Sequence, residues 1–235
     1  MRWGLVRSVL SFLRYSGSQV FAGKFAYFIV LAVVLFLGVA IIHTLDADVP
    51  PTEATAYYFL LVPGMVLVFY PAAYGIQNDA DAKMLETLFG IPDYRYKVWL
   101  VRQLVQLIVI GVLLGLLTGL CGAVLADIEI GWMVFHLMFP IAFVSCGGLL
   151  LGALFRSGNG AAVGLVILVL FFWIASQPLS GSPWSLFYNP FAQTNSLDVL
   201  LQADANLRSR AYLAAGSILA LLGGLLRLQN RERFI

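Results

Sequence analysis

Charged residues are scarce in this chain, and their scarcity decides its class. Asp, Glu, Lys and Arg make up 11% of the 235 residues, whereas 61% are hydrophobic and the mean hydropathy is +0.90. A soluble domain carries about 25% charged residues. The composition therefore excludes an ordinary soluble domain, and the net charge of +2 is too small to indicate nucleic-acid binding.

Cysteine is also rare, and no metal-binding pattern accompanies it. Cys121 and Cys146 each lie inside an apolar segment, without a CxxC pair and without histidine at metal-ligand spacing. We interpret both as buried thiols. Carboxylates are absent from the middle of the apolar segments, which argues against a proton-coupled pump and against an ion channel with a charged filter.

Long apolar stretches are what the chain has in abundance. A helix that crosses a bilayer needs roughly 20 mostly apolar residues. Six stretches approach or exceed that length, which predicts an all-α membrane protein with six transmembrane helices in one transmembrane domain, 1–235. The predicted spans are 25–44, 56–76, 98–126, 131–155, 160–176 and 211–226.

Residues 1–20 have a different pattern from these spans. Trp3, Val6 and Leu10 recur at helical spacing, while Arg7 and Arg14 lie on another face. This pattern predicts a helix that lies in the cytoplasmic membrane interface. The alternative is a short cytoplasmic tail.

The distribution of Lys and Arg indicates the orientation. With the N-terminus inside, Arg208 and Arg210 are the two exterior basic residues, and the other twelve of the 14 are cytoplasmic. The positive-inside rule therefore predicts a multi-pass plasma (inner) membrane protein with both termini cytoplasmic. Residues 177–210 then form an exterior segment, with a short helix expected from Asn195 to Leu207. His43 and His136 are interpreted as water-exposed imidazoles near the exterior ends of their spans.

The cytoplasmic loop between the second and third spans, residues 78–92, has the boundaries of a short amphipathic helix. Asn78 or Asp79 can cap its start, and Asp81 adds negative charge to its first turn. Gly90 and Pro92 end it. Met84, Leu85, Leu88 and Phe89 form its apolar stripe. The stripe fits equally well a helix that packs on the bundle and a helix that docks on a cytoplasmic partner.

Residues 81–98, Asp-Ala-Lys-Met-Leu-Glu-Thr-Leu-Phe-Gly-Ile-Pro-Asp-Tyr-Arg-Tyr-Lys-Val, resemble the coupling-helix region of permeases of the type-2 ABC exporter class. The layout of six spans, an N-terminal interfacial helix and an Asn-Pro-Phe step before the last span is also similar to that family. Met84 departs from the pattern, because it replaces the usual glycine. The matching residues are Leu85, Glu86, Leu88, Pro92, Arg95 and Lys97.

This resemblance implies a permease subunit that is not itself an enzyme and has no cofactor of its own. ATP and Mg²⁺ would bind to a separate cytoplasmic ABC ATPase subunit, and a second permease copy or homologue would complete a dimer. Gly17–Lys24 does not form a phosphate loop, because Phe25 stands where Ser or Thr must bind magnesium. The implied ATPase interface consists of Asp79, Asp81, Lys83, Met84, Leu85, Glu86, Leu88, Phe89 and Arg95.

The aromatic, turn-rich part of the exterior segment is a candidate exterior gate. Its residues are Trp184, Phe187, Tyr188, Asn189, Pro190 and Phe191. Together with the apolar interior they are compatible with a lipid-like, amphipathic or peptide substrate. The family also moves polysaccharides and haem, so the substrate stays open.

Two other functions are alternatives to transport. The first is a non-transporting assembly or scaffold subunit. The second is an intramembrane enzyme, for which Ser145 and His136 are nine residues apart without a supporting Asp.

Two groups of span residues also have alternative roles. Gln103 and Gln106 could line an entry or form hydrogen bonds between helices. Gly111, Gly115 and Gly119 form a small-residue ridge that could slide against another helix in a transporter or simply pack closely against one, and we expect packing.

Overall fold

A computed structural model of the chain describes residues 24–46, 51–81, 94–125, 127–179, 182–192 and 199–228. Over these residues the protein is helical and contains no strand. Its helices are α1 (Phe25–Asp46), α2 (Glu53–Asp81), α3 (Tyr94–Val124), α4 (Ile130–Phe155), α5 (Gly158–Ser176) and α6 (Val199–Leu228).

Each of these six helices is long enough and apolar enough to cross a membrane. The shortest, α5, has 19 residues. At 1.5 Å per residue it is about 28 Å long, close to the roughly 30 Å of a hydrocarbon core. The prediction of six helices long and apolar enough to cross a membrane is confirmed, whereas the interfacial helix predicted over 1–20 lies outside the described residues.

The last helix begins earlier than predicted. A separate short helix over 195–207 and a span from 211 were expected, but α6 runs without a break from Val199 to Leu228. The predicted boundary was wrong because it was placed by charge. No proline interrupts this stretch, so the backbone stays helical through Arg208 and Arg210.

The second helix ends later than predicted. It continues through Asn78 and Asp79 to Asp81, so neither residue caps a new helix. No proline or glycine between Gln77 and Asp81 stops the helix. The remainder of the predicted coupling helix, residues 82–92, lies outside the described residues.

The fourth helix is the centre of the bundle. It packs against α2, α3, α5 and α6, and its buried face runs from Met133 to Ala153. Gly148 brings α4 very close to α2, because a Cβ added there would lie 2.6 Å from Cβ of Ala72 and 2.9 Å from its carbonyl oxygen. This close backbone contact joins the two most buried spans.

The glycine ridge of α3 does not make the close contact that was expected. A Cβ on Gly111 or Gly119 would have ordinary van der Waals contacts, and one on Gly115 would meet nothing within 4 Å. Of these three glycines, only Gly115 borders open space within the described part of the chain. Small residues permit close packing but do not choose the partner helix.

The two ends of the bundle are held by different polar contacts. At one end, here called the Gln77 end, Gln77 Oε1 accepts a hydrogen bond from the Gly158 backbone N–H at 2.6 Å. At the other, here called the Asn189 end, Asn189 Nδ2 donates to the Ala54 carbonyl oxygen at 2.8 Å. Residues 78–81 continue α2 beyond the Gln77 end, so the loop that follows them begins there.

Candidate functional site

An apolar cleft of about 1070 Å³ opens along one side of α2. Tyr58, Val62 and Phe69 of α2 form its floor. The 11 residue steps from Tyr58 to Phe69 correspond to about 16 Å of helix. Leu31 of α1 and Leu170 of α5 lie on its two walls. We call this space the cleft.

The cleft exists because α5 packs tightly along only part of its length. Its buried residues, Gly158, Ala161, Ala162 and Leu165, all lie in the half nearest the Gln77 end. Beyond Leu165 the helix turns large apolar side chains outwards, among them Phe171 at 65% exposure and Trp173 at 57%. The space between this half of α5 and the floor of the cleft is therefore not filled by the described part of the chain.

The cleft becomes polar towards the Asn189 end. Ser176 and Gln177 line it from the end of α5, and Ser185 and Asn189 line it from the segment 182–192. An apolar trough with a few polar groups at one end is the usual form of a site for a small amphipathic molecule.

The segment 182–192 is fixed at the Asn189 end by side-chain hydrogen bonds to two helices. Asn189 joins it to the start of α2 through the Ala54 carbonyl, and its Oδ1 accepts from the Phe191 N–H at 3.0 Å. Gln202 of α6 donates its Nε2 to the Ala192 carbonyl oxygen at 2.7 Å. The segment therefore closes one end of the cleft as an ordered turn structure.

Three of the six residues predicted as an exterior gate line the cleft, namely Phe187, Tyr188 and Asn189. Pro190 is buried outside it. Trp184 is 56% exposed and stands edge-on to Tyr212, with ring centroids 5.7 Å apart. Phe191 contacts the rings of Tyr57 and His136.

Arg210 is the residue that the sequence analysis misplaced. It was assigned to an exterior loop, but it lies inside α6 and is only 5% exposed. Its Nε donates a hydrogen bond to His136 Nδ1 at 3.0 Å, and its guanidinium lies 5.5 Å from the ring centre of Phe139. His136 is therefore a buried acceptor, not the water-exposed imidazole that was expected.

The other two nitrogens of this guanidinium, Nη1 and Nη2, have no hydrogen-bond partner among the described residues. The hydroxyl of Tyr57 lies close to Arg210 and interacts with its charge, although the two do not form a hydrogen bond of full geometry. A buried charge without full hydrogen bonding costs several kcal/mol. The charge of Arg210 is thus energetically costly in this otherwise apolar part of the bundle.

Tyr188 connects Arg210 with the cleft. It lines the cleft and also lies within the electrostatic field of Arg210. Burial raises the pKa of the Tyr188 hydroxyl above its ordinary value, and the charge of Arg210 lowers it by a smaller amount. At neutral pH the hydroxyl is therefore protonated and can act as a donor.

No sequence motif marks the Arg210 site, because its two halves lie on different helices. The signal that was available is the absence of proline from Val199 to Leu228, which allows Arg210 to lie in the same helix as apolar Leu213. The partner, His136, could not be chosen without the packing of α4 against α6.

Only the edges of the predicted ATPase interface are described. Asp79 and Asp81 lie in the last turn of α2, and Arg95 lies in the first turn of α3. The backbone thus places these three residues on the two helix ends that flank the loop. Lys83, Met84, Leu85, Glu86, Leu88 and Phe89 lie outside the described residues.

Gln103 and Gln106 serve the packing of the bundle and do not line an entry. Both are buried, and both donate from Nε2 to Ser145 Oγ, at 2.7 Å and 2.8 Å. Cys146 beside this group is a buried thiol, as is Cys121. Among the described residues, no three His, Cys, Asp or Glu side chains come together as a metal site would require.

Comparisons of this chain with protein-family models, with curated proteins and with solved structures gave no match. The resemblance to exporter permeases therefore rests on the motif and layout of the sequence. The fold establishes a helical protein of multi-pass membrane type.

Proposed function

We propose that this chain is the transmembrane permease subunit of an ATP-driven ABC exporter, working with a separate cytoplasmic ATPase subunit. The observation that carries the proposal is the segment 81–98, with its Leu-Glu-Thr-Leu core, Pro92 and the basic Arg95 and Lys97, placed between two membrane-crossing helices. The same resemblance implies a second permease copy or homologue, and hence a dimer.

The course of α2 supports this proposal. One continuous helix carries the floor of the cleft at Tyr58–Phe69 and then leads into the loop at Asp81. A force applied to the loop would therefore reach the cleft through one continuous helix. An ATPase needs such a connection, because it binds only the cytoplasmic side.

Two features of α2 suit it to act as a lever. Pro63 and Pro71 lie inside the helix, and proline weakens the helix where it stands. Next to Pro71, Ala72 is pressed against Gly148 of α4. We infer that α2 pivots at Ala72, so that a small displacement of the loop changes the width of the cleft.

The predicted loop helix would dock by its apolar stripe. Met84, Leu85, Leu88 and Phe89 would fill a groove of the ATPase in the manner of other amphipathic recognition helices. Glu86 and the neighbouring Asp79, Asp81 and Arg95 would fix the orientation through charge complementarity. Lys83 lies three residues before Glu86, within reach of an ion pair on the helix surface.

The test is association with an ATPase. Tagged full-length chain, purified in mild detergent from cells that also express the candidate ATPase of the same operon, should retain that ATPase and raise its rate of ATP hydrolysis. Glu86→Lys should reduce the retained ATPase at least tenfold while the amount of inserted chain stays the same. Glu53→Lys, an exposed charge reversal at the Asn189 end, is the matched control and should change neither quantity.

The result also separates the alternatives. Retention of the ATPase without stimulation would favour a scaffold subunit over a permease. Equal retention by the Glu86→Lys variant and by the unmodified chain, with transport intact, would remove the coupling role of the loop.

A further inference from the structure

Arg210 carries a positive charge that no carboxylate balances in the described part of the chain. The acid nearest to it along α6, Asp204, pairs with the exposed Arg208 at 2.7 Å instead. The one hydrogen-bond partner of Arg210 is the neutral acceptor Nδ1 of His136. Nη1 and Nη2 remain as two free donors on one buried guanidinium.

An unpaired charge in a membrane-crossing helix is energetically costly. Charged residues at such positions commonly belong to functional sites. Two parallel N–H groups of a guanidinium match the two oxygens of a carboxylate or phosphate. The missing partner of Arg210 is therefore an anion. It is not supplied by the Tyr57 hydroxyl, which is neutral and also unpaired.

The surroundings of Arg210 indicate what the anion is attached to. Phe191 stands two residues after Asn189, which lines the cleft, and its ring contacts that of His136, the hydrogen-bond partner of Arg210, with centroids 5.5 Å apart. Tyr58 of the cleft floor contacts the ring of Tyr57, with centroids 5.8 Å apart. The cleft continues from there for about 16 Å along apolar α2. A charged site and an apolar trough are thus separated by a layer of aromatic side chains.

We propose that Arg210 binds the phosphate or carboxylate of an anionic amphiphile whose apolar part occupies the cleft. The side chain of Tyr188 turns aside to admit the anionic group and can donate its hydroxyl to it. As a statement about the transported substrate, this rests on the proposed function. As a statement about binding, it concerns this chain alone and needs no ATPase.

The experiment measures binding of defined probes to the full-length chain in nanodiscs of zwitterionic phosphatidylcholine. Dioctanoyl phosphatidylglycerol has both a negative charge and apolar acyl tails. Dioctanoylglycerol has the tails without the charge, and inorganic phosphate has the charge without the tails. Tryptophan fluorescence can follow the titration, because Trp173 lines the cleft. We expect phosphatidylglycerol to bind at least tenfold more tightly than either of the other two probes.

Variants of Arg210 and Arg208 test which of the two residues recognises the negative charge of the probe. Arg210→Gln should weaken phosphatidylglycerol binding about tenfold and leave dioctanoylglycerol binding unchanged. Arg210→Lys keeps the charge but cannot form two parallel hydrogen bonds to the anion. We therefore expect a smaller loss of phosphatidylglycerol affinity than in Arg210→Gln. Arg208→Gln, two residues away but exposed and already paired, is the matched control and should bind like the unmodified chain.

A variant in the cleft keeps the proposal testable if Arg210→Gln fails to fold. Val62 lines the cleft and is 54% exposed, so Val62→Trp fills part of the cleft without disturbing the core. It should weaken the binding of both dioctanoyl probes. Unchanged binding in this variant would place the tails elsewhere and overturn the proposal.

Three further outcomes would also overturn the proposal. They are unchanged phosphatidylglycerol binding in Arg210→Gln, equal weakening in Arg208→Gln, and binding of inorganic phosphate as tight as that of phosphatidylglycerol, which would indicate a site for the free anion. None of them affects the retention of an ATPase through the loop after Asp81. Failure of the substrate assignment is thus distinguishable from failure of the permease assignment.

Discussion

Arg210 and His136 lie 74 residues apart in the chain and form a hydrogen bond of 3.0 Å between Arg210 Nε and His136 Nδ1. Because the guanidinium always donates, Nδ1 must accept, so the imidazole is neutral with its proton on Nε2. The rings of Trp132 and Phe191 stand edge-on to this imidazole, with centroids 4.5 Å and 5.5 Å away. This hydrogen bond joins α6 to α4 at the Asn189 end. It provides a partner for one of the three guanidinium nitrogens.

The first prediction concerns this bond. His136→Leu removes the acceptor and leaves a buried guanidinium without any partner, so we expect the free energy of unfolding in detergent to fall by about 2 kcal/mol. The double variant His136→Leu with Arg210→Leu should recover much of that loss, because the unpaired charge is gone. Denaturant unfolding followed by circular dichroism measures both.

His43→Leu is the control for this prediction. His43 contacts Phe59 edge-on at 5.2 Å, but its Nε2 has no hydrogen-bond partner in the described structure. Its replacement should therefore change stability by less than about 1 kcal/mol. If the double variant were less stable than His136→Leu alone, Arg210 would be a stabilising residue and not a strained one.

The second prediction concerns the buried amides of α3. Ser145→Ala deprives both Gln103 and Gln106 of the acceptor for Nε2, and two buried amides lose a partner at once. We expect a loss of about 2 kcal/mol in the free energy of unfolding. Ser217→Ala is matched in burial, but the Ser217 hydroxyl bonds only to the Leu213 carbonyl of its own helix, so about 0.5 kcal/mol or less is expected.

Comparable losses in both serine variants would show that the Ser145 group does not hold α3 to α4. A loss confined to Ser145→Ala, with ATPase retention unchanged, would confirm that these glutamines serve packing. The sequence alone left the choice between packing and entry lining open.

The third prediction uses the approach of α2 to α4. In Gly148→Ala the new methyl would lie 2.6 Å from Cβ of Ala72 and would force the two helices apart. We expect a loss of about 1–3 kcal/mol in stability. Gly115→Ala adds a methyl where nothing lies within 4 Å, so it should be neutral or slightly stabilising through better helix propensity.

Melting temperatures of the two glycine variants in the same detergent provide the comparison. A destabilised Gly115→Ala variant would contradict the open space around that glycine and point to a second chain packed there. Gly148→Ala should also lower transport if α2 pivots at Ala72, since the pivot is then displaced.

The sequence was sufficient to predict where the spans lie, but not which face of each span packs against the rest of the bundle. Apolar length alone predicts where a helix can cross a bilayer, and α1, α4 and α5 were placed within a few residues of their observed bounds. Lipid and protein interior are both apolar, however, so the face of a span that packs inwards leaves little trace in its composition. The cleft depends on such a choice, because α5 stops being buried after Leu165.

Charge predicts an orientation, which the fourth prediction tests, but it was a poor guide to the depth of Arg210 in the bundle. Arg210 was excluded from the spans because an isolated arginine is costly there, and the feature that lowers the cost, a histidine acceptor on α4, is visible only after folding. The glycine that brings two helices together, Gly148, was likewise indistinguishable from Gly115 by sequence. In both cases the role of the residue depends on which side chain of another helix packs against it, and the sequence does not identify that side chain.

The fourth prediction tests the orientation inferred from Lys and Arg. The positive-inside rule places the Gln77 end and the loop after Asp81 in the cytoplasm, and the Asn189 end with Glu53 outside. In intact cells, a membrane-impermeant maleimide should label Glu53→Cys and should label Lys83→Cys only after the membrane is permeabilised. Cys121 and Cys146 are buried, so the unmodified chain supplies a low background.

The reverse labelling pattern would put the loop outside, where no cytoplasmic ATPase could reach it, and the permease proposal would fail with it. Labelling of both cysteines in intact cells would indicate leaky cells or mixed insertion, which Leu125→Cys at the end of α3 resolves. Leu125 follows α3 at the Asn189 end. It should therefore behave like Glu53→Cys if the chain inserts in a single orientation.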